Sequence, residues 1–276
     1  MVQDWLNVPW VQYGLAPFIA GLVVAELFNR LRLSGLALIA GLAATYYASA
    51  RTAPSLTPAT GHDRIVLVAL GATMLGLIFD LAPKMRHPAA AAVALFAGAL
   101  VVWETWPVVT LETWVIVLAP AGLGILYAVW TAGTLTLLAD FPERTSAAGI
   151  GLGGAVGACA LLAGEARLAS LGFAAAAASG AYLLIQIVSN ERMQCGTTFA
   201  LPLAAICALI PPITVLNAGL SWYVLPALAL VSAAALIPLS EYLTTRVRGL
   251  LALTITAAAG AAVSATAWIV IGPPVK

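Results

Sequence analysis

The chain has 276 residues, of which 62% are hydrophobic and only 8% charged, and its formal net charge is +1. A soluble domain of this length needs far more polar surface, so the composition points to a polytopic membrane protein and a single transmembrane helical domain over residues 1–276. With no basic run and no aromatic-basic stripe, nucleic acid is excluded as a partner.

The first ten residues (MVQDWLNVPW) lack the basic region and cleavage site of a removable signal peptide, so the first spanning helix is expected to do the targeting. Ten apolar segments follow, at about 10–28, 34–50, 65–82, 88–103, 113–138, 146–163, 168–188, 197–216, 222–240 and 249–271. Each is near the ~20 residues that cross a bilayer. Pro120 predicts a kink or tilt in the long fifth segment. Pro211-Pro212 is expected to break the eighth. Small residues (Gly151, Gly153, Gly154, Gly157, and Ala174 to Ala178) predict close helix packing, although an Ala-rich composition alone accounts for them equally well.

Basic residues set the orientation. The loops after the odd-numbered segments hold Arg30, Arg32, Lys84, Arg86, Arg144, Arg192, Arg246 and Arg248; the other side holds Arg51, Arg64, Arg167 and Lys276. The odd loops are therefore expected in the cytoplasm and both termini outside. Trp5, Trp10, Trp103, Trp106, Trp114, Trp222 and Trp268 fall near the outer interface on this topology, and Trp130 does not.

Three cysteines form no metal knuckle, redox pair or disulfide framework; Cys159 and Cys207 lie in apolar segments and Cys195 in a loop. The acidic residues are more informative, because carboxylates at a membrane edge are costly. Glu26, Asp80, Asp140, Glu143, Glu191 and Glu241 fall on the cytoplasmic side, with Asp140 and Glu143 spaced as D-x-x-E. Asp80, Asp140 and Glu143, converging from different loops, could hold Mg2+, which takes carboxylate oxygens and substrate phosphates. The plainer alternative is a set of solvated acids in surface pairs of little energetic worth: Glu143 with Arg144, Glu191 with Arg192, Glu241 with Arg246. The basic turn after Asp80 (Lys84, Arg86) likewise reads either as part of a phosphate site or as a topology signal.

The order of these loops resembles the polyprenyl-phosphate hexosamine-1-phosphate transferases, which start envelope glycan lipids. Arg32-Leu33-Ser34-Gly35-Leu36-Ala37 is similar to the family's Pro-x-Gly-Gly lead into its second helix. Gly76-Leu77-Ile78-Phe79-Asp80 and Leu81-Ala82-Pro83-Lys84 resemble its Asp-Asp and Leu-Ser-Pro-Lys motifs. Asp140-Phe141-Pro142-Glu143, with Ala147-Ala148-Gly149, is similar to its Asp-Gly-Leu-Asp-Gly-Leu-Ala-Ala-Gly. Ser179 to Leu184, Asn190 and Cys195-Gly196-Thr197-Thr198 resemble its Gly-x-x-x-Gly-Phe-Leu, Asn and Gly-Asp-Thr-Gly-Ser. The likeness spans roughly residues 10 to 250. It implies an all-α protein of about ten transmembrane helices with both termini outside, Mg2+ as cofactor, polyprenyl phosphate as lipid and the bacterial inner membrane as location.

The departures fall on the working residues. Phe79 replaces one paired aspartate, Thr134 and Leu137 stand where the family has asparagines, and Cys195 or Gly196 replaces the aspartate of the last motif. The loop from Ser240 to Gly249 lacks histidine; the chain holds only His62 and His87. Phosphoryl transfer rests on metal and cationic neutralisation, and one lost contact of that kind costs about 2.7–4 kcal/mol. Several such losses favour a catalytically silent relative acting as a lipid-binding, scaffold or partner subunit, with a protein partner or as a homodimer. A divergent transferase is the alternative, with the three carboxylates on metal and Lys84, Arg86, Arg192, Arg246 and Arg248 on phosphate.

A third reading is a small-solute transporter of two inverted five-helix units, suggested by Arg32 to Leu36 and Arg167 to Leu171 at the start of segments two and seven. Most of its mid-membrane polar residues (Thr45, Tyr127, Thr136, Gln186, Thr214 and Thr256 among them) read more simply as packing hydroxyls. A Ser-His-Asp set, a Lys-Ser/Thr phosphate loop and a bis-histidine haem site are all excluded by composition. The glycines from 149 to 157 lie in a spanning segment, so they are not a dinucleotide fingerprint.

Overall fold

A computed structural model describes residues 8–29, 33–50, 61–81, 86–109 and 114–272. Those residues form ten α-helices and no strands: α1 (Ala16–Asn29, preceded by a π-turn Val11–Leu15), α2 (Ala37–Ala50), α3 (Gly61–Leu81), α4 (Arg86–Val109) and α5 (Trp114–Leu137). After a 3-10 turn, Leu138–Asp140, come α6 (Pro142–Leu162), α7 (Ala166–Ser189), α8 (Gly196–Asn217), α9 (Val224–Ala235) and α10 (Thr245–Ile271). Each falls on one of the apolar segments read from the sequence. Seven spans are long and apolar enough to cross a membrane, built on α1, α3, α5, α6, α7, α8 and α10. The described apolar stretches of α2, α4 and α9 are shorter.

The centre is α8. Every residue from Thr197 to Val215 is buried, and none is charged. It lies against α3, α5, α4, α6 and α7. A second tight group is α6 with α7 and α10, where small residues set the spacing. A side chain on Gly151 of α6 would collide with the Thr256 carbonyl of α10, and one on Gly172 of α7 would lie 2.6 Å from the Gly157 nitrogen of α6. In a bilayer, where lipid tails compete for apolar contact, such close van der Waals packing holds helices together.

The eighth helix corrects one expectation. It continues through Pro202, Pro211 and Pro212 to Asn217 instead of breaking at the proline pair. Pro211 lacks the N–H that would bond the Cys207 carbonyl four residues earlier. The Tyr127 hydroxyl of α5 donates to that carbonyl at 2.8 Å and replaces the missing bond.

The two halves are not packed alike. α6 lies along α10, whereas α1 and α5, the corresponding pair in a repeated five-helix unit, have no comparable contact among the described residues. The mid-membrane hydroxyls mostly bond helix carbonyls: Thr136 to Ala132, Thr214 to Ile210, and Thr256 to both Ala147 and Ala252. Gln186 is fully buried with neither amide atom hydrogen-bonded, and nothing in the structure explains it.

Candidate functional site

Four of the stretches singled out in the sequence meet around residues 193 to 198, at the start of α8. The segment is tied down from all sides. Ser34 Oγ donates to the Gln194 carbonyl at 2.9 Å, and the Tyr182 hydroxyl of α7 donates to the Met193 carbonyl at 3.1 Å. The Cys195 thiol donates to the Ala139 carbonyl at 3.2 Å. Gly35 must be glycine, since a side chain there would collide with the Cys195 carbonyl.

Asp80 supplies the strongest tie. Cys195, the residue before α8, makes no capping bond with its own side chain. The Asp80 carboxylate caps the helix instead, from 117 residues away in sequence. Its Oδ1 accepts from the Thr197 N–H and Oγ1, both at 2.8 Å; its Oδ2 accepts from the Thr198 N–H at 3.0 Å and Oγ1 at 2.7 Å. The Thr197 hydroxyl proton is shared with the Gly76 carbonyl at 2.9 Å. An anion here also faces the positive end of the α8 dipole. Two glycines make the approach possible. Gly76 brings α3 to van der Waals contact with the backbone of Thr197 and Thr198. Gly196 has φ +62°, and a side chain on it would strike the Asp80 carboxylate.

Glu143, in the first turn of α6, is buried. Its Oε1 lies 3.2 Å from Arg248 Nη2 and 3.3 Å from Arg192 Nε. Arg248 is itself nearly buried, and its Nε has no hydrogen-bond partner. These contacts correct the picture of a solvated Glu143–Arg144 pair, whereas Glu191 and Glu241 are exposed. Arg144 turns away from Glu143, donating through Nε to the Ala235 carbonyl at 2.8 Å with its guanidinium over the Phe141 ring. Arg246 donates through Nε to the Ile187 carbonyl at 2.9 Å, and its backbone N–H donates to Asn190 Oδ1 at 3.1 Å. Asn190, at φ +57°, closes α7 in the left-handed conformation.

A cavity of about 820 Å3 opens beside this hub, lined by Asp80, Asp140, Arg192, Gln194 and Gly196 among others. Asp140 is exposed. Of the candidate site residues, Asp80, Asp140 and Arg192 therefore share one cavity. Glu143 and Arg248 form the buried pair behind it, Arg246 holds the end of α7, and Lys84 and the Arg86 side chain lie outside the described residues. Among the described residues, no three His, Cys, Asp or Glu side chains gather as a metal-ion site. The donor set does not fit Mg2+: Asp80 faces four donors of the α8 N-terminus, and Glu143 is already paired with two cations.

Cys195 belongs to this hub rather than to redox chemistry. Burial pushes its thiol up from 9.0 to about 12, which leaves almost no thiolate at neutral pH.

Sequence reasoning singled out Asp80 but missed its partner. Thr197-Thr198 after a glycine is an ordinary helix start, and no local spacing marks a cap supplied by another helix. No family model, no curated protein and no solved structure matches this chain.

Proposed function

We propose that the chain is a ten-span protein of the bacterial inner membrane, with both termini outside, that binds an anionic lipid head without transferring phosphoryl groups. On the sequence resemblance, that lipid is a polyprenyl phosphate, and the protein serves as a scaffold or partner subunit in envelope glycan synthesis. The observation that carries this reading is the use made of Asp80. The carboxylate that the resemblance assigns to metal chemistry is turned onto the start of α8, where it holds the cavity wall together. Glu143 is likewise committed to Arg192 and Arg248.

Binding without chemistry needs only a cavity of suitable size and a cation at its wall. The cavity volume of about 820 Å3 lies within the usual range of ligand sites, about 300–1,000 Å3. Arg192, half-exposed at that wall, is the cation best placed to meet a phosphate.

Two measurements on purified protein in nanodiscs test the proposal. Undecaprenyl phosphate is expected to bind saturably and to bind less well to Arg192→Gln. Radiolabelled UMP is expected not to exchange into UDP-sugars when Mg2+ is supplied. Exchange that disappears in Asp140→Asn would instead establish a divergent transferase.

A further inference from the structure

Glu143 stands between two guanidiniums and can neutralise only one of them. Its Oε1 lies 3.2 Å from Arg248 Nη2 and 3.3 Å from Arg192 Nε, and among the described residues the three have no other ion pair. The triad therefore carries one surplus positive charge. Glu143 and Arg248 are almost fully buried, whereas the Arg192 side chain is 54% exposed and lines the cavity, so the surplus charge faces outward there. Two carboxylates line the same cavity. Asp80 is spent on the four donors of α8, and Asp140 is exposed to water, which screens its repulsion.

Position matters here as much as charge. Arg192 lies in the turn between α7 and α8, and that turn is fastened on both sides of it. Before it, Asn190 Oδ1 accepts from the Arg246 N–H; after it, the Met193 and Gln194 carbonyls accept from Tyr182 and Ser34. Arg192 approaches Glu143 most closely through Nε. A carboxylate on that side leaves open the terminal edge of the guanidinium, formed by its two Nη groups, and no residue other than Glu143 pairs with this side chain. Such an edge takes two oxygens of one phosphate at once. We propose that Glu143, anchored by Arg248, is a positioning residue that turns this edge of Arg192 into the cavity as a two-pronged donor for one phosphate monoester. The proposal rests on the lipid-phosphate reading above and names the group that reads the phosphate. Leu33, Leu77 and Leu81 also line the cavity, and Leu81 is 87% exposed, which favours a lipid over a free anion as the source of that phosphate.

The test compares binding of undecaprenyl phosphate, undecaprenol and inorganic phosphate to the full chain in nanodiscs. Two variants keep the charge of the site and change its geometry. Arg192→Lys retains the cation without the fork, and is expected to bind undecaprenyl phosphate about tenfold more weakly, as Arg192→Gln does. Glu143→Gln combined with Arg248→Met removes one charge of each sign, so the surplus charge is unchanged. It is expected to bind about threefold more weakly, the worth of a partly exposed ion pair. Thermal unfolding shows whether each variant is folded, and Arg192→Lys, at a half-exposed position, decides the matter if the double variant is not.

Full affinity in Arg192→Lys makes Arg192 a point charge and overturns the proposal, while the lipid reading stands. Full affinity in a folded double variant leaves Glu143 a purely structural group and overturns it as well. Undecaprenol bound as tightly as its phosphate overturns it too, because the tail alone then suffices. Inorganic phosphate bound alone, with the same order of variants, upholds the positioned edge and gives it a free anion, against the lipid reading. No saturable binding of either phosphate by the unmodified chain refutes the reading and the proposal together.

Discussion

Glu143 shows how little of a residue's role lies in its immediate sequence. Its neighbour Arg144 reads as its partner, yet the helical turn sends Arg144 to the Ala235 carbonyl and brings Arg192 and Arg248 to Glu143 from other elements. Removing one member of a buried pair leaves an uncompensated charge, at about 3–5 kcal/mol. Glu143→Gln is therefore expected to lower stability by about 3 kcal/mol in denaturant unfolding in detergent. Adding Arg248→Met should recover part of that loss. Most of the coupling lies with Arg248, because half-exposed Arg192 is screened by solvent. Cys195 offers a second check at this scale. With its thiol raised from 9.0 to about 12, its thiolate fraction at pH 8 falls by roughly a thousandfold. Maleimide at pH 8 should leave Cys195 unlabelled in the folded protein and label it after unfolding.

At the scale of elements, the helices were plainly written in the sequence, because a run of about twenty apolar residues has little choice but to form one in a bilayer. Their junctions were not. Pro211-Pro212 carries a strong local signal to stop, and a hydroxyl 80 residues away cancels it. Tyr127→Phe should cost about 1 kcal/mol, one buried hydrogen bond, measured by the same unfolding experiment. The stretch Gly76 to Asp80 was legible as a unit, but its contact with the start of α8 was not. Its glycine lets α3 touch α8, and its aspartate, one turn on, then reaches Thr197 and Thr198. Gly76→Ala should therefore destabilise the protein. Gly154→Ala, on a face where an added side chain meets nothing within 4 Å, should be neutral or slightly stabilising. Opposite signs for the same chemical change separate packing from helix propensity.

For the whole molecule, the sequence indicated where the distinctive stretches lie and that their carboxylates could converge, but not that the stretches fasten one segment. Ser34, Asp80, Ala139 and Tyr182 are far apart in the chain, and all fasten residues 193 to 198. Only the fold brings them together, which is why a metal site and a structural hub look alike in sequence. The proposed ten-span topology is checked with single-cysteine reporters. A membrane-impermeant thiol reagent should label Gly219→Cys from outside and leave Asn190→Cys untouched.

The account turns on Asp80 as a helix cap, and the melting temperature of the unmodified chain and of Asp80→Asn, each with and without Mg2+, tests it most directly. A cap predicts that Asp80→Asn, whose amide N–H2 would face the donors that one carboxylate oxygen now accepts from, melts lower by the equivalent of about 1–3 kcal/mol, and that Mg2+ moves neither protein. A metal ligand predicts the reverse. Mg2+ would then raise the melting temperature of the unmodified chain alone, and Asp80→Asn without metal would be no less stable than its parent.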